Sequence, residues 1–164
     1  MAENNVEIGR MNMSFLIKPY TADRIQDVLA FERQLRAEED FWGWEINEGY
    51  IDAVQKSFSD ERFRNSISLL AYDQQGRVIG RIDSSIIASH FDGSVKAYLD
   101  WICVLKSARH QGAAQALLSA LKQRLKEKKI DTLIALTAAN EEAQQFYRHI
   151  PNSIMRDTGI WIDV

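Results

Sequence analysis

Apolar residues recur along the chain with two different periods. In four segments they return every three or four positions, as on the buried face of a helix, whereas other segments are short β-rich runs. The first pattern predicts helices over residues 25–35, 47–58, 114–125 and 140–150. The second predicts strands over residues 15–19, 68–73, 78–87, 97–104 and 132–136, with a closing hairpin of 153–156 and 160–164.

The predicted order of elements is βααβββαβαββ. This order is typical of an α/β (α+β) single domain, in which helices flank a mixed, mostly antiparallel central sheet. A chain of 164 residues is long enough for one hydrophobic core and short for two. We expect the domain to span residues 14–164 and residues 1–13 to be a flexible N-terminal extension.

Composition narrows the classes of partner. The net charge is −3 and the pI is about 5.6, which argues against nucleic acid as a partner. No run of roughly 18 apolar residues is present, so no membrane span is predicted. Cys103 is the single cysteine, which excludes an intrachain disulfide and a thiolate metal cluster. We expect no metal and a cytoplasmic location.

The junction between the strand at 97–104 and the next helix contains one glycine. Free backbone N–H groups and the helix dipole make such a turn an anion site. Glycine and two alanines let a phosphate approach the backbone closely, and an arginine can add a cationic contact. The same turn is also simply how a chain passes from strand to helix. The residues are Arg109, His110, Gln111, Gly112, Ala113 and Ala114.

Two motifs around this turn resemble those of the GCN5-related N-acetyltransferase (GNAT) superfamily. The turn matches [QR]-x-x-G-x-[GA], and Val104 precedes its arginine by five residues. Downstream, the run from Asn140 to Tyr147 matches N-x-x-A-x-x-F-Y. Two positions depart from the family: His110 stands where glycine is common, and Pro151 follows where glycine and an aromatic residue are usual.

The resemblance implies acetyl-CoA as the cofactor. The backbones of Ile102, Cys103 and Val104 are then expected to contact its pantetheine arm and thioester. Residues 109–114 are expected to hold the pyrophosphate, with Asn140 and Tyr147 also at the cofactor. Because the family transfers the acetyl group directly, we interpret the Cys103 side chain as a small buried residue.

Two residues are candidates for acid–base chemistry. Tyr147 occupies the position of the family's tyrosine and is the candidate general acid for the departing thiolate; the alternative is a ring that simply packs against the sheet. Asp100 precedes Val104 by four positions, where some members carry a glutamate, and is the candidate base or water-orienting residue. The alternative is a carboxylate that serves as a structural acceptor.

The acceptor side is indicated by acids and aromatics between the first two helices. Carboxylates beside aromatic rings suit an ammonium group, although an acidic helix end followed by anchoring aromatics has the same pattern. Asp83 shares one strand face with Arg81 and Ser85 and lies either in the cleft or on a solvated face. The candidate acceptor residues are Glu39, Asp40, Trp42, Trp44 and Asp83.

The sequence therefore predicts an N-acetyltransferase that moves an acetyl group to a primary amine of a small cationic molecule, polyamine- or aminoglycoside-like. A protein or peptide N-terminal or lysine acetyltransferase is the alternative within the same class. A non-catalytic acyl-CoA-binding regulatory module is the alternative of another class. Relatives are often homodimers, and the aromatics around Trp42 and Trp44 are candidate interface residues.

Overall fold

The computed structural model describes residues 15–39, 45–156, 159 and 162. The predicted N-terminal extension, residues 1–13, lies outside this part of the chain. The strands are β1 (Leu16–Pro19), β2 (Ser66–Tyr72), β3 (Val78–Ala88), β4 (Val95–Val104) and β5 (Leu133–Ala135). The helices are α1 (Ile25–Glu38), α2 (Glu48–Ser57), α3 (Ala113–Glu127) and α4 (Glu141–Arg148).

Local side-chain chemistry explains where two of the helices begin. The Asn47 side chain accepts the N–H of Tyr50 at 2.9 Å at the start of α2. The Asn140 side chain accepts the N–H of Ala143 at 2.8 Å at the start of α4. In each case the asparagine satisfies a backbone donor that has no partner within the helix.

The five strands form one sheet in the order β1-β2-β3-β4-β5. Pairing is antiparallel from β1 to β4, whereas β5 runs parallel to β4. A parallel pair needs a crossover connection, and α3 provides it. The strand pattern confirms the predicted mixed α/β fold.

The helices α1 and α3 cover opposite faces of the sheet. A methyl group built on Gly80 of β3 would lie 3.1 Å from the Leu117 side chain, so Gly80 faces α3. The next residue, Arg81, donates a hydrogen bond to Glu32 at 3.1 Å and so faces α1. Neighbouring strand residues point to opposite faces. Each helix buries an apolar stripe against its face of the sheet, formed by Ile25, Val28, Leu29, Phe31 and Leu35 in α1 and by Ala113, Leu117, Leu118, Leu121 and Leu125 in α3.

The closing hairpin is the one element of the prediction that the structure corrects. Residues 153–156 form no strand. Asn152 adopts a φ of 61°, and the N–H and hydroxyl of Ser153 donate back to the carbonyls of Ile150 and Tyr147, both at 3.2 Å. These bonds wind the segment onto the end of α4 instead of extending it. The second predicted arm, 160–164, lies outside the described residues except for residue 162.

None of the described helices is both long and apolar enough to cross a membrane.

Candidate active site

The candidate site begins where β4 and β5 part. The two strands pair over three residues each and separate after Leu99. The N–H of Leu105 donates to the carbonyl of Ile79 at 2.9 Å, so the backbone groups of Leu105 point towards β3. In an antiparallel ladder every second residue points its backbone groups to the same neighbour. Those of Ile102 and Val104 therefore point away from β3. Of the strands that the structure describes, none pairs with β4 on that side beyond Leu99. These two predicted pantetheine-binding positions therefore face an open edge.

Cys103 differs from its two neighbours. It lies opposite Arg81 in the ladder, so its backbone groups face β3 rather than the open edge. Burial raises the pKa of its thiol to about 11. A thiol that stays protonated at neutral pH is a poor nucleophile, which agrees with its interpretation as a buried packing residue.

Asp100 is the extra residue of a β-bulge. Asp83 of β3 lies opposite Trp101 whereas Ser84 lies opposite Leu99, so Asp100 has no partner residue in the ladder. Bulges bend a strand and redirect a side chain, and they occur often beside active sites. The Asp100 side chain is exposed and forms no hydrogen bond or ion pair with any described residue.

The turn before α3 is a cradle of free backbone donors, which we call the N–H cradle (residues 110–115). The first helical bond of α3 runs from the N–H of Ala116 to the carbonyl of Gly112 at 2.9 Å. The preceding six N–H groups donate to no group in the described ranges of the chain. His110 and Gly112 both adopt a positive φ, 59° and 90°, and such left-handed turns make consecutive N–H groups converge.

The N–H cradle fits a pyrophosphate. A methyl group built on Gly112 would meet one atom within 4 Å, a Phe15 ring carbon at 3.9 Å, so nothing crowds the approach to this backbone. The positive φ of His110 also explains why glycine is common at this position. The imidazole itself is 85% exposed, with Nε2 3.5 Å from Glu142 Oε1.

Arg109 lies at the edge of the N–H cradle, and each of its three guanidinium nitrogens has a protein partner. Nε donates to the Val104 carbonyl at 3.2 Å and Nη1 to Glu142 Oε2 at 2.9 Å. Nη2 donates to Glu39 Oε1. Glu39, predicted to contact the acceptor, thus pairs with the residue that was predicted to contact phosphate.

A cleft of about 810 Å³ lies between α1, α2 and the sheet. Glu32, which is 5% exposed, accepts hydrogen bonds from the Tyr50 hydroxyl at 2.7 and 2.8 Å and from Arg81 Nη1 at 3.1 Å. Arg81 Nη2 also donates to Asp83 Oδ1 at 3.0 Å, and Ser68 Oγ donates to the same oxygen at 2.6 Å. All five residues line the cleft. Arg81 bonds to both carboxylates, and Arg36 Nη1 lies 3.7 Å from Glu32 Oε2.

Asp100 lines the same cleft. The structure therefore places both Asp83 and Asp100 at this cleft, and a shared role in acceptor binding stays a prediction. Asp83 is held in the buried cluster, whereas the Asp100 carboxylate remains available to a ligand. Of the other acceptor candidates, Asp40, Trp42 and Trp44 lie outside the described residues.

Tyr147 and Asn140 lie on α4. The Tyr147 ring is half buried and packs edge to face against Phe146, with ring centres 5.4 Å apart. Burial, with a smaller contribution from nearby Tyr98, raises the pKa of Tyr147, so its hydroxyl keeps its proton at neutral pH. Asn140 is occupied as the helix cap described above.

Four residues of this cleft cluster were not predicted as functional: Glu32, Tyr50, Ser68 and Arg81. Glu32 gave one signal in the sequence, because it falls on the apolar stripe of α1, where a charge is costly unless it is paired. The identity of its partners could not be read from the chain, since Arg81 is 49 residues away.

Comparison with known structures shows the same fold in several acetyltransferases. An aminoglycoside acetyltransferase from an uncultured soil metagenomic sample, solved with trehalose and with sisomicin, has a TM-score of 0.75 and 16% identity over 92% of this chain and 96% of that chain. A ribosomal-protein-alanine N-acetyltransferase from Brucella melitensis has a TM-score of 0.68 and 14% identity over 92% and 99% of the two chains. A predicted acetyltransferase from Clostridium acetobutylicum, solved with acetyl-CoA, has a TM-score of 0.65 and 16% identity over 92% and 96%.

No curated protein sequence matches the chain. A family model for the acetyltransferase (GNAT) family matches residues 25–150. This range includes α1, the open end of β4, the N–H cradle and α4, and it covers well over half of the chain. The chain therefore belongs to the GNAT family, whose members use acetyl-CoA, and is an N-acetyltransferase.

Proposed function

We propose that the protein uses acetyl-CoA to acetylate a primary amine on a small cationic molecule, polyamine- or aminoglycoside-like. The observation that carries the proposal is the separation of β4 from β5. It opens one strand edge that leads to the N–H cradle at one end and to the free carboxylate of Asp100 at the other.

The donor side rests on backbone groups. Bound acetyl-CoA supplies the acetyl group as a thioester. The N–H cradle holds the pyrophosphate by several hydrogen bonds to charge, which are stronger than neutral ones. The outward-facing N–H and carbonyl of Ile102 and the N–H of Val104 bind the amide-bearing pantetheine arm, while the Val104 carbonyl accepts from Arg109.

Tyr147 supplies the proton that the departing thiolate needs. A general acid must be protonated at the working pH and within reach of the leaving atom. The raised pKa of Tyr147 keeps the phenol protonated. Its helix, α4, follows β5, the strand that parts from β4 at the open edge, which supports placing Tyr147 within reach of the thioester sulfur. The phenolate that remains is reprotonated from water.

Asp100 accepts a proton from the attacking ammonium, directly or through one water molecule. The amine must be neutral to attack a carbonyl carbon, and an exposed carboxylate beside the open strand edge both attracts the cation and takes its proton. Asp83 and Glu32 are less suited to this role because each already accepts a hydrogen bond from Arg81.

The size of the cleft supports a small acceptor. Its volume of about 810 Å³ lies within the range of about 300–1,000 Å³ that is usual for small-molecule sites. The structures similar to this one include aminoglycoside acetyltransferases and a ribosomal-protein-alanine N-acetyltransferase, so both acceptor classes belong in the test.

The test is thiol release from acetyl-CoA with polyamines, aminoglycosides and an N-terminal peptide, followed by mass spectrometry of the products. We expect acetylation of the small amines. Turnover of the peptide alone would contradict the small-molecule acceptor, and CoA binding without turnover of any amine would favour a non-catalytic module.

Asp100→Asn tests the proposed base. We expect kcat/KM to fall about 100-fold, while CoA affinity stays unchanged. Asp131→Asn is the matched control, since Asp131 is an exposed carboxylate outside the cleft. Equal activity of the two variants would remove Asp100 from the mechanism.

A further inference from the structure

The C-terminus of α1 is fastened to the segment that leads from β4 into the N–H cradle. Glu38 Oε2 accepts the N–H of Ser107 at 3.0 Å, and Glu38 Oε1 accepts the Ser107 hydroxyl at 2.7 Å. Burial alone would raise the pKa of Glu38, but these hydrogen bonds hold it below its usual value. The next residue, Glu39, pairs with Arg109. Two consecutive acids therefore connect one helix end to one loop.

Arg109 extends this connection to two further elements. Its remaining nitrogens bond to the Val104 carbonyl at the end of β4 and to Glu142 in the first turn of α4. The side chain is 25% exposed. A single guanidinium thus joins α1, β4 and α4 around the cofactor edge, with geometry that suits the rigid fork of arginine.

This arrangement argues against the phosphate contact expected from the sequence. To reach a phosphate, Arg109 would have to leave Glu39 or Glu142, and an unpaired carboxylate would then remain close to the phosphate charge. The six free N–H groups of the cradle provide donors for the pyrophosphate without this exchange.

We infer that Arg109 is a positioning residue that, through Glu39, fixes where the chain leaves α1 on its way to the acceptor cleft. Glu39 is the last residue before the connection to α2, and α2 supplies the Tyr50, Val54 and Ser57 wall of that cleft. The Arg109–Glu39 ion pair thereby fixes the position of the open edge of β4 relative to the acceptor cleft. The kinetic part of this inference rests on the proposed function, because it requires an amine that is turned over.

The first experiment is calorimetry of CoA binding to the Arg109→Gln/Glu39→Gln double variant. Removing one positive and one negative side chain leaves the net charge unchanged, so long-range attraction of the phosphates is preserved. We expect wild-type affinity for CoA. A loss of about tenfold or more, as when a charge-assisted hydrogen bond is removed, that is not recovered when Glu142→Gln is added to the double variant would show that Arg109 binds the phosphate and would overturn the inference.

The second experiment compares Glu39→Gln with Glu142→Gln in steady-state kinetics. Both variants remove one carboxylate partner of Arg109, but only Glu39 leads towards the acceptor cleft. We expect KM for the amine to rise about tenfold in Glu39→Gln, as for a misplaced reactant, with KM for acetyl-CoA unchanged. Glu142→Gln should keep the wild-type KM for the amine.

Equal effects of the two substitutions on KM for the amine, or no effect of Glu39→Gln, would contradict the positioning role. If the double variant does not fold, the single substitutions Glu39→Gln and Glu142→Gln still test the positioning role, because both carboxylates are partly exposed. If no amine is turned over by the wild type, the proposed function fails, and calorimetry still tells whether Arg109 is a phosphate ligand.

Discussion

Tyr147 and Cys103 both have a raised pKa, and burial is the main cause for each side chain. The chemical consequence differs. A phenol that holds its proton at neutral pH can act as a general acid, whereas a thiol that holds its proton cannot act as a nucleophile. One physical effect therefore favours direct transfer with Tyr147 as the acid and disfavours an acyl-cysteine intermediate.

Tyr147→Phe tests this assignment. We expect kcat to fall about 100-fold, with little change in stability or CoA affinity, because the ring and its packing on Phe146 are kept. Because the pKa is raised, loss of activity through ionisation of Tyr147 should occur only above about pH 10, the usual value for a phenol. Steady-state kinetics across pH provides the measurement.

Tyr98→Phe is the control for Tyr147→Phe, since Tyr98 is a half-buried tyrosine near Tyr147 on β4. It should keep most of kcat. Full activity of Tyr147→Phe, or an equal loss in both variants, would show that Tyr147 only packs against the sheet.

At the scale of single elements, the start of α3 differs from the starts of α2 and α4 in having no side-chain cap. Gly112 occupies the capping position with φ 90° and ψ 3°. Because glycine has no side chain, it offers no acceptor to the free N–H groups. Most helix ends satisfy these donors with a side chain, as Asn47 and Asn140 do for α2 and α4. Among the described residues, the donors at α3 have no such side-chain acceptor.

Gly112→Ala should weaken CoA binding and lower stability together. A left-handed φ costs a non-glycine residue about 1–2 kcal/mol, and relaxing that strain would turn the N–H groups away from one another. We expect the free energy of unfolding to fall by about that amount in urea titration, and the Kd for CoA to rise about tenfold by calorimetry.

Gly76→Ala is the matched control for Gly112→Ala. Gly76 has φ 76° in the β2–β3 turn and no atom near a built methyl group, so its strain is also purely conformational. It should lose similar stability and bind CoA normally. Normal CoA binding by Gly112→Ala would contradict the role of the N–H cradle.

At the scale of the whole molecule, a buried charge cluster holds the acceptor side together. Glu32 of α1, Tyr50 of α2, Arg81 and Asp83 of β3 and Ser68 of β2 are joined by hydrogen bonds. The Arg81 guanidinium also lies 4.9 Å from the centre of the Tyr20 ring. No residue of α2 is fully buried, and the bond from Tyr50 to Glu32 connects this helix to α1.

Arg81→Met should therefore destabilise the protein strongly. Removing one partner of a buried ion pair leaves an uncompensated charge and costs about 3–5 kcal/mol. Arg77→Met is the control, because the Arg77–Asp73 pair is made by a guanidinium that is 70% exposed, and such pairs contribute about 1 kcal/mol or less. Urea titration measures both, and similar losses would contradict the structural role of the cluster.

The elements and the family could largely be predicted from the sequence. Helix and strand patterns are local, since a periodic apolar stripe reflects which face of one element is buried. The spacing from Val104 to Arg109 and from Asn140 to Tyr147 is also local, and it indicated the family before any contact was known. The predicted strand at 153–156 failed because bonds from Ser153 back to α4 compete with extension.

The acceptor half depended on tertiary structure. The partners of Arg109 lie 33 and 70 residues away in the chain, and the bulge at Asp100 is visible only from its register with β3. The sequence by itself determined most of the helices and strands and the glycine turn before α3, because these follow from neighbouring residues. Only the tertiary structure decided which carboxylates are paired and which one is free, because ion pairing depends on distance in space and not on separation along the chain.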